Sequence, residues 1–516
     1  MSDAESMHPV SILSPGHIEL QETHHIDKDP NYFGDLAVDY ILDAVTKEFE
    51  AYDLRPLYRY IPHQQDVIAY RQATLLDLSS ASLSIPVRNF AAAMIRVRAL
   101  KELAKKCFNK YQAAAYILAA INKYCASVRA LETGLAAANP KSEGLQALLA
   151  ALHDYIISPS FEELAQGAMH HRTVLDTIRY TVLIHEGSVT VREFVEEPDY
   201  NTTIAQFFAR FQQGDETSHG EKPARDLYMG NVQNRILDGV AQLNPEVFSA
   251  LSAFVEKQSN FIDPILSRFE REVQFYLAWL AFTDRLATTG LEFSLPRLIT
   301  DYRIGARAGF DLALAEKLRA EEGKIVTNDF YLDGAERIFV VSGPNQGGKT
   351  TFARMIGQMH YFANLGLTVP GCDVRLKFFD RIFTHFEREE ALTTLHGKLY
   401  DDLTRIHAIL ESATADSLII LNEIFNSTAL KDALFLADAV LRRIIKLGAL
   451  GVCVTFMDEL ATLGPETVSV TSMVEPDNPA KRSFRVVRRP ADGLAYALSI
   501  AKKYGVTYER LKERLA

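Results

Sequence analysis

The stretch Gly343-Pro344-Asn345-Gln346-Gly347-Gly348-Lys349-Thr350-Thr351 decides how this chain is read. It follows Arg337-Ile-Phe-Val-Val-Ser342, a short apolar run of strand character, and it precedes a helical pattern. A G-x-x-x-x-G-K-[ST] loop in that context folds tightly enough for its backbone N–H groups to converge on phosphate oxygens. The positive end of the following helix adds to the attraction. Lys349 is expected to reach the β and γ phosphates of a nucleoside triphosphate, and the Thr350 hydroxyl to bind Mg²⁺. Residues 343 to 351 are therefore the expected ATP/ADP-binding residues, with Mg²⁺ as cofactor.

Two further strand candidates lie downstream, Ser417-Leu-Ile-Ile-Leu421 and Leu450-Gly-Val-Cys-Val-Thr455, each separated from its neighbours by helical sequence. That alternation predicts a mostly parallel sheet with helices on both faces. The first run ends in Asn422-Glu423, the Walker B arrangement of an apolar strand followed by two polar residues. Glu423 is the candidate catalytic base or water-orienting group. Asn422 stands where a carboxylate is usual. Its amide oxygen can hold Mg²⁺ through a water, but it brings no negative charge.

Upstream the pattern is helical. Leu36, Val38, Ile41, Leu42, Val45 and Phe49 recur at helix spacing, and helical pieces are expected over 66–83 and from Val87 to about Leu131. A helix to about Ile156 follows Pro140 and Gly144. Tyr180–His185 and Ser188–Phe194 flank Glu186-Gly187, a hairpin signal. Helices are expected again over 223–237 and 245–286. Residues 1–30 read as an extended lead-in. The fold class is thus multidomain, an α-helical region followed by an α/β P-loop domain.

Composition narrows the class further. The 516 residues carry a formal charge of −11, so any nucleic-acid contact must rest on local positive charge. The four cysteines (Cys107, Cys125, Cys372 and Cys453) have no zinc or disulfide spacing, which fits a reducing compartment. No apolar run reaches the roughly 18 residues of a membrane span, and no signal pattern opens the chain. The expectation is a cytoplasmic protein. The densest basic stretch, Arg96, Arg98, Lys101, Lys105, Lys106 and Lys110, is spread over more than one helix face and reads first as a solvated surface.

These motifs resemble those of MutS-family ATPases. Gly343–Thr351 looks like GPNMGGKST, and Thr327-Asn-Asp-Phe-Tyr-Leu332 like the PND-x-x-L segment. Gly366–Gly371 resembles G-x-x-VPA, and Asp380–Thr384 resembles D-x-IFTR. Leu421–Thr428 is similar to LxDEIGRGT, and Val454–Leu460 to ATHYxEL. Ala491–Leu515 looks like the closing helical region, and Gln64–Gln72 like the start of the lever domain. The departures are Asn422 for the acid, Phe456 for the switch histidine, and Phe425 and Asn426 for the glycine and arginine. Leu395-His-Gly-Lys398 stands in place of the trans-acting hydroxyl loop.

The resemblance implies a helical lever/core region over 1–110, a clamp with returning lever helices and the hairpin over 111–300, and the MutS-type ATPase domain over 301–516. It implies a member without the mismatch-binding and connector domains. Phe194-Val-Glu196 is a literal Phe-x-Glu, but it reads as strand alternation, and direct mismatch recognition is not expected. The implied function is a dimeric, nucleotide-gated DNA clamp in repair or recombination, joined through its ATPase domains and touching DNA by sequence-independent backbone contacts. The alternative is a nucleotide-binding interaction protein with little hydrolysis, which Asn422 and Phe456 would allow. An ABC or SMC ATPase is disfavoured by the lack of an LSGGQ-like signature. A small-molecule kinase is disfavoured by the lack of a lid segment.

Overall fold

The computed structural model describes residues 10–15, 30–185, 188–195, 230–387, 397–475 and 478–490. The chain divides into two compact units. One comprises Ser80–Pro140 and Gln146–Glu270, and the other Met1–Ser79, Lys141–Leu145 and Arg271–Ala516.

The unit of Ser80–Pro140 and Gln146–Glu270 is built on long helices. Ala81–Lys106 and Lys110–Ala138 pack along their length. Close approach is possible because Gly134 has no side chain: a Cβ there would lie 2.6 Å from Pro86 Cβ. The expected single helix over 87–131 is two helices, and the first begins earlier and contains Pro86. The break at Cys107–Asn109 is set by Asn109, whose side chain accepts from the N–H groups of Tyr111 (2.9 Å) and Gln112 (3.2 Å) and so starts a new helix. The expected helix over 245–286 is likewise interrupted, into Pro245–Lys257 and Pro264–Ala287. Asp263 caps the second through Ile265 N (2.8 Å), with Pro264 in its first turn. Strands β1 (Tyr180–His185) and β2 (Ser188–Glu193) form the expected antiparallel hairpin, Tyr180 opposite Glu193. Of the expected helix over 223–237, residues 231–237 are described as helical, in a helix Asn231–Leu243 that runs past the expected end.

The other unit holds the α/β layers. Short strands β3 (Phe293–Ser294), β4 (Arg297–Ile299), β5 (Gly305–Gly309) and β6 (Asn328–Tyr331) precede β7 (Ile338–Ser342). Then follow β8 (Val369–Pro370), β9 (Cys372–Lys377), β10 (Ile382–Phe386), β11 (Leu418–Asn422), β12 (Leu450–Val454), β13 (Thr467–Glu475) and β14 (Asn478–Arg488). Among the described residues the main sheet has the order β10-β11-β12-β7-β13-β14. Its neighbours are parallel except for β14, which runs antiparallel to β13. A second sheet has the order β4-β9-β5-β6.

Alternation along β7 explains the layering. Ile338 and Val340 join a core with Ile419, Leu421 and the apolar face of helix Leu430–Leu447. Phe339, between them, points the other way and meets Phe352 of helix Lys349–Asn364 edge-on at 6.1 Å. Burying a side chain of this size contributes roughly 1.5–3 kcal/mol. Helix Lys349–Asn364 is buried on nearly every side, so its polar residues need partners. Gln358 donates to Leu36 O (2.8 Å) and accepts from Leu312 N (2.8 Å), and Asn364 donates to Phe379 O (2.9 Å).

The lead-in is more than an extended tail. Residues 11–15 are buried. Ser11 and Ile12 donate to the Glu272 carboxylate, while Tyr70 and Arg71 donate to Ser11 O (2.6 Å) and Leu13 O (2.8 Å). Among the described residues, no helix is long and apolar enough to cross a membrane.

Candidate nucleotide-binding site

The loop after β7 is shaped by positive backbone angles: φ is +111° at Gly343, +59° at Gln346 and +94° at Gly348. At Gly343 and Gly347 there is also no room for a side chain. A Cβ at either would lie 2.5 Å from Ser472 Oγ on β13. The glycine pattern is thus a steric requirement set by the neighbouring strand.

Lys349 opens the helix and is 5% exposed. Its ammonium donates to Gly343 O (2.9 Å) and Asn345 Oδ1 (3.3 Å) and lies 3.9 Å from Glu423 Oε1. Burial pushes its pKa down, opposed by the charges of Glu423 and Asp458. Thr350, one residue on, donates its hydroxyl to Asn422 Oδ1 at 2.9 Å. The strand register makes this meeting possible, because β11 and β7 both flank β12 and end at the same level. The structure therefore brings Lys349, Thr350, Asn422 and Glu423 together from two segments well apart in sequence.

The exit from β11 is strained. Glu423 has φ +53° and Phe425 φ +61°. A left-handed conformation costs a residue with a side chain about 1–2 kcal/mol. Phe425 occupies the glycine position of the resembled motif, and the positive φ is the physical reason for glycine there. Here full burial of the Phe425 ring offsets the strain. Glu423 is held by its own N–H, which donates to Val454 O at 2.8 Å, and Asn426 donates to its carboxylate at 3.3 Å.

Phe456 is 51% exposed at the end of β12. Lys398 begins helix Lys398–Ser412 and pairs with Glu387, while Leu395 and His396 lie outside the described residues, as does Ala491–Leu515. Phe194 lies just past the end of β2, under the Arg179 guanidinium, and Glu196 is outside the described residues.

The basic stretch is largely engaged within its own unit. Arg98 pairs with Glu270 at 2.6 Å, Lys101 lies over the Phe261 ring, Lys105 pairs with Glu102, and Lys110 covers Tyr111.

Sequence reading missed the contribution of β13 and β14. Ser472 lies under the loop, and Arg482 Nε donates to Asn345 O at 3.1 Å. Asn328 links β6 to β14, donating to Phe484 O (3.3 Å) and accepting from Val486 N (2.7 Å). Asn328 and Val486 border a cavity of about 250 Å³ that also takes in Thr327, Tyr331 and Val470. Phe484 O in turn lies beside Gly348. Only the Thr327–Leu332 resemblance pointed toward this side of the loop. Nothing in the local pattern singled out Ser472 or Arg482.

Comparison with known proteins matches this region. Residues 339–511 match MutS domain V. A DNA mismatch repair protein MutS of Thermosipho melanesiensis is 28% identical over 197 residues, 37% of this chain and 24% of that protein. One of Caldicellulosiruptor bescii is 26% identical over 305 residues, 56% of this chain and 35% of that protein. Endonuclease MutS2 of Thermus thermophilus is 30% identical over 189 residues, 36% of this chain and 25% of that protein. The matched stretches span about a quarter to a third of the length of these relatives. The loop, the Thr350–Asn422 and Lys349–Glu423 contacts and the domain V match all lie in the same unit, so residues 339–511 are similar to domain V of the MutS family.

Proposed function

We propose that the chain binds ATP with Mg²⁺ at the loop of Gly343 to Thr351 and acts as a DNA-repair or recombination ATPase. The observation that carries this reading is the convergence of Lys349, Thr350, Asn422 and Glu423 at the loop. Lys349 supplies the charge that meets the β and γ phosphates. The oxygen donors present, the Thr350 hydroxyl and the Asn422 amide, suit Mg²⁺, a hard cation that keeps several waters. When bound, Mg²⁺ neutralises phosphate charge. Glu423 is the group placed to orient or deprotonate the attacking water. We assign the nucleoside end of the ligand to the cavity beside Asn328 and Val486.

The DNA side of the proposal rests on the relatives, which are named for DNA mismatch repair and for endonuclease activity. We assign the helical residues 1–110 and 111–300 to the lever and clamp, and 301–516 to the ATPase. Two copies joined through their ATPase domains would let nucleotide state bias the arms between open and closed, a population shift driven by differential contacts. DNA contacts of this kind are to phosphates and weaken with salt. A second reading, nucleotide binding with little turnover, is supported by Asn422, which contributes no charge where it meets the Thr350 hydroxyl.

Steady-state ATPase assays with and without DNA separate the two readings. Turnover that DNA stimulates and Glu423→Gln removes supports the ATPase. Tight ATP binding with turnover unchanged by Glu423→Gln supports the binder. Absence of duplex or branched DNA binding at about 50 mM salt, where phosphate contacts are strongest, removes the clamp.

A further inference from the structure

Two cations converge on one residue of the loop. Lys349 Nζ donates to the Asn345 side chain at 3.3 Å, and Arg482 Nε donates to the Asn345 main-chain carbonyl at 3.1 Å. Arg482 comes from β14, the antiparallel edge strand, and is partly buried there. The hairpin that carries it braces the loop at two further points. Ser472 of β13 packs against Gly343 and Gly347, and Phe484 of β14 lies beside Gly348. Ser472 is buried, and its hydroxyl has no hydrogen-bond partner. The loop is therefore held by β13–β14 as well as by the strand and helix that it joins.

The charge balance gives this brace a chemical consequence. A triphosphate needs compensating positive charge, normally shared between the loop lysine and a metal that protein carboxylates hold. Here the residue facing Thr350 is the neutral Asn422. Less protein charge is available to hold a divalent cation, so more of the phosphate charge must be met by protein cations. Arg482 is a guanidinium that the fold brings to Asn345, the residue that Lys349 also holds. A guanidinium stays charged at all accessible pH.

We propose that Arg482 is a positioning residue of the nucleotide site, holding the Asn345 peptide and supplying positive charge to the terminal phosphates, so that triphosphate binding depends on Arg482 most when Mg²⁺ is absent. The proposal rests on the ATP-binding reading above and deepens it. It predicts a preference for ATP over ADP that Arg482 helps to set, because the added charge acts at the phosphate end.

Calorimetric titration of the full chain with ATP and with ADP, in Mg²⁺ and in EDTA, tests it. Arg482→Gln is expected to weaken ATP binding in EDTA about ten- to a hundredfold, the range of a hydrogen bond to a charged group. The loss is expected to be smaller in Mg²⁺ and smaller for ADP. Arg482→Lys keeps the charge but not the forked geometry, and is expected to fall between. A brace that only stabilised the fold would lower the melting temperature without changing the ratio of affinities in EDTA and Mg²⁺. If Arg482→Gln binds ATP like the parent in EDTA while Lys349→Ala abolishes binding, the role of Arg482 is wrong and the ATP-binding reading stands. If Lys349→Ala binds ATP unchanged, the reading itself fails.

Discussion

The Thr350 hydroxyl donates to the amide oxygen of Asn422 at 2.9 Å, joining the first turn of the loop helix to the end of β11. Two neutral groups thus share a hydrogen bond where a hydroxyl and a carboxylate would draw in a metal ion. The exchange leaves the geometry of the pair and removes its charge. Asn422→Asp is nearly isosteric and restores that charge. Mg²⁺-dependent ATP affinity is expected to rise by about tenfold, on the scale of a charge-assisted contact. Magnesium titrations at fixed ATP measure it, and an unchanged magnesium dependence would refute this account of position 422.

Gly347→Ala places a methyl group 2.5 Å from Ser472 Oγ and 2.8 Å from Pro344 O. The second obstacle is backbone of the same loop, so the loop itself must move. Overpacking of this kind costs about 1–3 kcal/mol. Nucleotide affinity is expected to fall by at least about tenfold while the far-ultraviolet circular dichroism spectrum stays that of the parent. Parent-like affinity would show that the loop tolerates the side chain.

The single tryptophan reports on the core behind the loop helix. Trp279 Nε1 donates to Thr368 Oγ1 at 2.9 Å, and its ring packs on Phe362, with 4.4 Å between centroids. Thr368→Val keeps the volume and removes the acceptor. A buried N–H left without a partner costs about 1–3 kcal/mol. A lower melting temperature with altered tryptophan emission is expected, and an unchanged melting temperature would contradict the contact.

His360 lies in the same helix, fully buried, with Nδ1 against Ile356 O at 2.8 Å and Nε2 without a partner. Burial lowers its pKa from 6.5 to about 4. The folded state therefore holds it neutral where the unfolded chain takes up a proton, so this contribution to stability is complete above about pH 6.5. It is lost as pH falls toward 4, amounting to about 2 kcal/mol by pH 5. His360→Phe is expected to flatten that part of the stability–pH profile in chemical denaturation. An equal loss in both proteins would assign the acid sensitivity elsewhere.

Particular residues show how far the sequence could be read. β7, β11 and β12 appear as short apolar runs because both faces of a parallel sheet are covered, so each strand is hydrophobic throughout. β13 and β14 lack that signal. Their stretch mixes polar and apolar residues, and β14, at the edge of the sheet, carries Arg482, Arg485 and Arg488. The helix breaks at Asn109 and Pro264 carry capping signals, but these are local, and a long apolar periodicity obscured them.

By itself, the sequence determined the loop, the polar end of β11 and the α/β alternation around them. Each of these is written in residues close together along the chain, and each obeys rules of backbone geometry that need no distant partner. Only the tertiary structure decided that Thr350 meets Asn422, that Lys349 faces Glu423, and that Ser472 and Arg482 close on the loop from β13 and β14. Those meetings depend on strand order and register. Placing β7 between β12 and β13 sets the loop between the end of β11 and the β13–β14 hairpin, and no local pattern encodes that order.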